Sequence, residues 1–458
     1  MRARVDGYLT DVDYTFGYYP EMNPRRARLS LLNAGITPRK TLAACELGYG
    51  QGVSANIHAA ASTTAWYGCD VMASHAAFAQ SLTAASGAKA RFTDEAFTTF
   101  CARPDLPDFD FIGLHGVWSW ISEDNRAVLV DFLARKLRPG GLVYLTYNAL
   151  PGWSSLSPLR HLLVQHAERV APGDRAALDF AIRLQALDPL YSRAGPVPEL
   201  LEKLKGADER YLAHEYFNDN WRPLAFADVA AQLTPAGLAF AGSATFRDHA
   251  PTLTMGPAKR DFQAAITDPV MRETVGDYLV NRNFREDYWI KPPVPLLSSA
   301  AREAALGDER FVLIRPRAKV SLAFDGFLGD MLLPAPLYGR ILDLLADHRP
   351  RTLSDIAACP DLARFALPAI VQALLILTGR DDLALAADPA EIAAAAPTAQ
   401  ALNACLVRRP ADAAEITVLA SPVTGGGIEV GRTERAALAA GLALDPDRQA
   451  GLAALGVI

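Results

Sequence analysis

Between Thr41 and Asn148, short apolar runs alternate with helical stretches, and this alternation narrows the fold more than any other feature of the chain. "RKTLAACELG" supplies a first strand from about Thr41 to Leu47, and Ser54 to Ala61 reads as a helix. "TTAWYGCDV" is a second strand ending at Asp70, and "SHAAFAQSLTAASG" is a helix closed by Gly87. "KARFTDEAF" gives a third strand and the start of "DFDFIGLHGVWSWI" a fourth. "DNRAVLVDFLARKLRPGG" has apolar residues at helical spacing and a Pro-Gly-Gly stop, and "LVYLTYN" is a fifth strand. Strands and helices in this rhythm predict a doubly wound α/β sheet.

Downstream of Trp153 the pattern turns helical from about Ser157 to Leu212. "LAFADVAAQLTPAGLAFAGSATF" then reads as one more helix–turn–strand unit near 224–246, placed to complete the sheet. Helical character returns from Asp261 to Lys291, and "KPPVP" marks a boundary. Beyond it, "LYGRILDLLADHRPRTLSDIAA" and "ARFALPAIVQALLILTGRDDLALA" predict helix, turn, helix and a short strand, an order that resembles a winged helix. Ala386 to Ala401 is alanine-rich, a helix or a linker. The chain of 458 residues is too long for one ordinary core. The expected division is 1–155, 156–295 and 296–458.

The net charge of −6 gives no electrostatic case for nucleic acid or an anionic membrane. The winged-helix-like part is therefore read as a packing or dimerisation module, and a homodimer is the oligomer it suggests. Five cysteines lie far apart with no CxxC pair, which argues against a disulfide framework or zinc and fits a reducing compartment. No metal is expected. "MRARVDGYLTDVDYTF" places acids and aromatics where a secretory signal has an apolar core. The longest uncharged apolar run falls short of the roughly 20 residues that cross a bilayer. A cytoplasmic protein without a membrane span is the expectation.

The turn after strand one reads Glu46-x-Gly48-x-Gly50-x-Gly52. Dinucleotide sites need a third glycine for close helix packing, and Val53 stands at that position here. An acid two residues before the first glycine repels a pyrophosphate but suits a cationic amine. Asp70, at the end of strand two, is placed to accept hydrogen bonds from two ribose hydroxyls. A ribose joined to a positively charged amino-acid part describes S-adenosylmethionine. The amides around Gly48–Gly52 suit its carboxylate, because helix N-termini favour anions.

Longer segments carry a family resemblance. "CELGYGQGVSAN", "FDFIGLHGVWSWI", "LRPGGLVYLTYNALPGW", "LAHEYF" and "VNRNFREDYW" resemble class I S-adenosylmethionine-dependent methyltransferases with a methyltransferase regulatory domain. That group includes bacterial outer-membrane-protein lysine methyltransferases. The likeness runs from roughly Tyr14 to Lys291 and weakens after about Ala300. It implies a Rossmann-like methyltransferase sheet whose cofactor residues are Glu46, Gly48, Tyr49, Gly50, Gly52, Asn56, Asp70, Val71, Asp94, His115 and Gly116. Tyr49 stands where many relatives have a small residue or cysteine. Asp94, beside Glu95, takes the place of a residue that caps the adenine amine. The N-terminal "YTFGYYPEMNPRR", with Tyr14, Phe16, Tyr18 and Tyr19, would be a lid.

The ends of strands four and five surround the ligand crevice of a doubly wound sheet. Trp118, Trp120 and Trp153, with Tyr18 from the lid, are therefore expected to line an acceptor pocket, since aromatic faces hold cationic amines. His115, Tyr147, Asn148 and Tyr14 are the candidate catalytic residues, as orienters of the acceptor. The leading substrate is a lysine side chain of a protein, a cell-envelope protein among the candidates, and only the resemblance argues for it. The alternatives are a small-molecule or sugar O- or N-methyltransferase, and a non-catalytic regulatory protein that binds cofactor or DNA. All the cofactor residues precede Pro334, so a chain ending there is expected to keep the cofactor site.

Overall fold

The computed structural model describes residues 3–193, 195–326, 329–409 and 415–458. Seven strands form the central sheet: β1 (Ala43–Leu47), β2 (Ala65–Cys69), β3 (Ala90–Thr93), β4 (Phe109–Leu114), β5 (Leu137–Asn148), β6 (Ala239–Ser243) and β7 (Phe284–Ile290). Their spatial order is β3-β2-β1-β4-β5-β7-β6. Strands β1 to β5 pair in parallel, while β7 runs antiparallel to both β5 and β6. The crossover helices are α2 (Val53–Ala60), α3 (Ala73–Ser86), α4 (Phe97–Cys101) and α5 (Glu123–Lys136), and α1 (Pro24–Asn33) precedes the sheet.

Strand β1 is buried along its whole length, as a central parallel strand must be with both faces covered. One face packs Phe100, Phe109, Phe132, Val229 and Trp289 together. The other buries Leu31, Ala55, Ala79, Tyr144 and Tyr288. Small residues on α2 and α3 let those helices lie close to the strands.

Strand β7 corrects the sequence reading, which expected helix through Lys291. "FREDYWI" alternates half-buried and buried residues over Phe284–Asp287 and is buried through Tyr288–Ile290, and Arg285 and Asp287 are buried despite their charge. They neutralise each other inside the fold, so polarity concealed a central strand. The middle region consequently does two jobs. Helices α6 (Ser157–Arg169), α7 (Asp174–Gln185), α8 (Val197–Lys205) and α9 (Glu209–Tyr216) form a cluster with its own core around Leu163, Leu178 and Leu201. Helix α10 (Phe226–Leu233), β6 and β7 complete the sheet.

In the C-terminal region Arg310–Leu313 is the centre of a three-stranded sheet, flanked by Arg351–Thr352 and Leu383–Leu385. Helices Tyr338–Leu344, Leu353–Ala357 and Leu367–Gly379 pack with it. The connectivity differs from a winged helix: the third strand comes from upstream, and Leu383–Leu385 leads into a helix, Pro389–Arg408, instead of a hairpin. The alanine-rich stretch is this helix. It packs Leu402 and Leu406 against Val53, Ile57 and Leu82 of α2 and α3. The expectation that a chain ending before Pro334 keeps its cofactor site is therefore corrected, because truncation would strip the outer face of the helix that follows the glycine turn. Among the described residues no helix is long and apolar enough to cross a membrane.

Candidate active site

The turn from β1 to α2 holds Gly48, Gly50 and Gly52 at φ of +76°, +57° and +71°, a region that side chains avoid. The glycines differ in what surrounds them. A Cβ at Gly48 would stand 2.7 Å from Val117 and one at Gly52 2.6 Å from Ala79, so both are needed for packing. At Gly50 the nearest atom would be Cδ1 of Tyr14 at 3.8 Å, and at Gly116, also at positive φ, nothing lies within 4 Å. Those two positions leave bare backbone open at the C-terminal edge of the sheet.

Glu46 is 1% exposed and its Oε2 has no hydrogen-bond partner. Burial raises its pKa well above the ordinary carboxylate range, and Asp70 adds to the effect. An isolated buried carboxylate is unfavourable unless a partner arrives. A ligand ammonium group is such a partner, so the donor set fits the amino-acid end of S-adenosylmethionine.

Asp70 already works within the protein. Its Oδ2 accepts from the Gly50 amide at 2.9 Å, and its Oδ1 from Met72 N at 3.0 Å and His75 Nδ1 at 3.1 Å. His75 Nε2 accepts from the Tyr14 amide at 3.1 Å, which leaves Nδ1 as the protonated nitrogen of the neutral ring. The glycine turn, Asp70 and the N-terminal segment are thus one hydrogen-bonded unit. Val71 beside it is half-buried. Asp94 is exposed just beyond β3, whereas Glu95 is taken by Thr93 Oγ1 at 2.9 Å and Arg103 at 3.1 Å.

His115 directly follows β4 under the N-terminal segment, its ring stacked on Tyr19 with centroids 3.5 Å apart. Nδ1 lies 3.0 Å from the Tyr144 hydroxyl, and burial lowers its pKa to about 3, so the ring is neutral at pH 7. Asn148 is held by its backbone, which donates to Ser119 Oγ and accepts from Leu224 N, while its side-chain Nδ2 is buried without a partner. Trp120 Nε1 is also buried without one. Trp153 is half-buried, with its ring edge-on to Trp221 at 5.0 Å.

Several expected site residues have structural posts instead. Trp118 is fully buried in the sheet core and donates from Nε1 to Gln232 at 2.8 Å. Tyr147 is likewise fully buried, its hydroxyl donating to Asp287 Oδ2 at 3.0 Å on the same core face. Strand alternation explains both the error and its remedy: Tyr147 points away from the side that Thr146 and Asn148 occupy. Tyr18 accepts from the Gly427 amide at 2.6 Å and its ring lies tilted against His58, centroids 5.2 Å apart. It lines a cavity of about 690 Å³ with Arg26, Arg315 and Arg432, and that cavity contains no crevice residue. Asn56 uses both amide hydrogens on Gly52 O and Ala79 O, and its oxygen accepts from Thr83, so it stitches α2 to α3. The Tyr49 ring lies under the glycine turn and its hydroxyl donates to Thr93 O at 2.9 Å.

Because Tyr147 serves Asp287, Tyr147→Phe should lower unfolding free energy by about 1–3 kcal/mol. Methyl transfer per folded molecule should stay the same. A selective loss of rate in a fully stable Tyr147→Phe protein would return this residue to the site.

One residue that the sequence reading did not single out lies against the N-terminal segment. Glu215, on α9 within "LAHEYF", accepts from the Tyr14 hydroxyl at 2.9 Å. Nothing in local spacing connects it to the sheet edge, and only the folding of α9 against the N-terminal segment brings it there.

Residues 208–291 match the family described as "Predicted methyltransferase regulatory domain". A Synechocystis protein known as uncharacterized protein sll1526 is 34% identical over 445 residues, covering 95% of this chain and 87% of its own. Uncharacterized protein RP789 of Rickettsia prowazekii is 25% identical over 40% of this chain and 35% of its own. Among solved structures, PKMT2 from Rickettsia typhi in complex with AdoHcy superposes with a TM-score of 0.67 at 18% identity. That superposition covers 92% of this chain and 87% of PKMT2.

Proposed function

We propose that this chain, which belongs to one family with the Synechocystis protein sll1526 and carries a predicted methyltransferase regulatory domain, is a class I methyltransferase that transfers the methyl group of S-adenosylmethionine to lysine side chains of a protein. The observation that carries the cofactor reading is Glu46, a buried carboxylate with an unpartnered oxygen beside the open backbone at Gly50. In this reading Glu46 meets the amino-acid ammonium, Asp70 the ribose and Asp94 the adenine amine. The bound cofactor supplies an electrophilic methyl group, and the chain contributes position and exclusion of water.

Neutral His115, stacked beneath Tyr19, offers an uncharged surface next to the sulfonium. Asn148 presents its free amide and Trp120 its ring nitrogen to the acceptor side. A lysine ammonium, which in water titrates at about 10.4, has to shed a proton before it attacks. The N-terminal segment, held through Tyr14 to His75 and Glu215, covers both substrates. An acceptor on a cell-envelope protein and a cytoplasmic site of action are the finer parts of the reading. The support for lysine is the sequence resemblance together with the enclosed acid and aromatic lining.

Two measurements test it. Calorimetry with S-adenosylhomocysteine should show binding, weakened by about 1–3 kcal/mol in Asp70→Ala, the scale for losing a buried hydrogen-bonding partner. Unchanged affinity would remove Asp70 from the site. Labelled cofactor should mark an envelope-protein extract and fail to mark the same extract after its amines are acetylated. Equal labelling of the blocked extract would exclude lysine and favour an oxygen acceptor.

A further inference from the structure

The acceptor needs a group that receives its ammonium end. In this reading Glu46 and Asp70 belong to the cofactor side, and both oxygens of Glu286 on β7 already accept, from the Tyr144 hydroxyl at 3.4 Å and from Thr245 Oγ1 at 2.8 Å. We propose that Glu215, supplied by the regulatory domain, is the carboxylate that binds the acceptor amine and takes its proton, an inference that rests on the amine-methylating reading above. Three observations carry it. Glu215 is half-buried at the end of α9, and of its two oxygens Oε1 accepts from Tyr14 while Oε2 makes no hydrogen bond among the described residues. The Tyr14 ring that holds Oε1 also lies against the open backbone of Gly50, so one aromatic ring separates Glu215 from the cofactor turn. Glu46 and Glu215 both act on the buried Tyr19 hydroxyl, whose ring stacks on His115, so both acids lie within electrostatic reach of the ring that covers the end of β4.

The surroundings suit the task. Tyr8 and Tyr14 pack on His214 with ring centroids 5.1 and 5.2 Å away, giving an aromatic wall next to the carboxylate. Burial raises the Glu215 pKa to about 7, and the Tyr14 hydrogen bond pulls it back only in part. Such a carboxyl is a far better proton acceptor for an amine than an ordinary one. In the step, the acceptor ammonium gives one proton to Glu215 Oε2. The freed nitrogen lone pair forms the N–C bond as the C–S bond breaks, with its electron pair going to sulfur. The products are the methylated ammonium and S-adenosylhomocysteine, and Glu215 later releases its proton to water.

Glu215→Gln tests this, because glutamine keeps an oxygen for Tyr14 and loses the charge. With full-length protein and amine-bearing envelope extract at saturating cofactor, the initial labelling rate should fall about 100-fold. Affinity for S-adenosylhomocysteine should stay within about twofold of wild type. Glu215→Asp, which keeps the charge on a shorter arm, should recover at least about tenfold of the lost rate. A Glu215→Gln rate within about threefold of wild type overturns the inference while leaving the function standing. Equal loss of rate in Glu215→Asp and Glu215→Gln, with cofactor affinity lost in both, assigns Glu215 to the fold and overturns it too. If wild-type protein labels no amine at all, the functional reading fails first and takes the inference with it.

Discussion

Replacing Glu46 by glutamine should weaken S-adenosylmethionine binding about 100-fold or more and, at the same time, stabilise the ligand-free protein. The two effects have one cause. In the free protein the Glu46 carboxylate is buried and short of a partner, so its charge opposes folding. With an ammonium beside it, the same charge becomes a desolvated ion pair, and removing one member of such a pair costs about 2–5 kcal/mol. The pH dependence carries the same signature. The folded-state pKa of Glu46 is raised, so the native state binds a proton that the unfolded state has released once the pH exceeds about 4.3. Stability is therefore full below that pH and declines as pH rises toward the raised value. Glu21 and Glu215, both at about 7, add to the decline, so the difference in slope between wild type and Glu46→Gln isolates Glu46. Denaturant melts of both proteins across this range, paired with calorimetry, make the test. A variant that binds the cofactor as wild type does, or that is less stable when free, would remove Glu46 from the amine site.

Arg285→Ala should lower unfolding free energy by about 3–5 kcal/mol, the range for breaking a buried ion pair from one side. The guanidinium is 4% exposed and reaches Asp277 at 2.8 Å, Asp287 at 2.9 Å and Glu273 at 3.0 Å. It also lies over the Phe226 ring at 4.3 Å. One cation thus joins β7, α10 and the helix Pro269–Val280, and its loss strands the buried carboxylates of Asp277 and Asp287. The effect should appear in urea unfolding, with the transition losing β7 pairing. A cost below about 1 kcal/mol would mean that the acids simply protonate and that the cluster contributes little.

The β1–α2 turn, the acid before it and the alternation of strand and helix were legible because each depends on neighbours in the chain. A glycine at positive φ, a short parallel strand and the next helix are set by local sterics and apolar spacing, so spacing alone places Glu46, Gly50 and Asp70 at one sheet edge. The facing of residues on β5 was decided by register. Tyr147 and Asn148 are adjacent in sequence and point to opposite sides, and which side is core depends on α10 and β7, far downstream. Strand β7 itself was hidden because its charges are satisfied by each other and by partners on the helix Pro269–Val280. Trp118 read as a pocket residue until Gln232 supplied its hydrogen bond. Glu215 and the tether from Tyr14 to His75 exist only where the N-terminal segment folds back over both α3 and α9. Local spacing determined the glycine turn and the acid before it, and tertiary packing decided which polar groups were already satisfied and which were left without a partner.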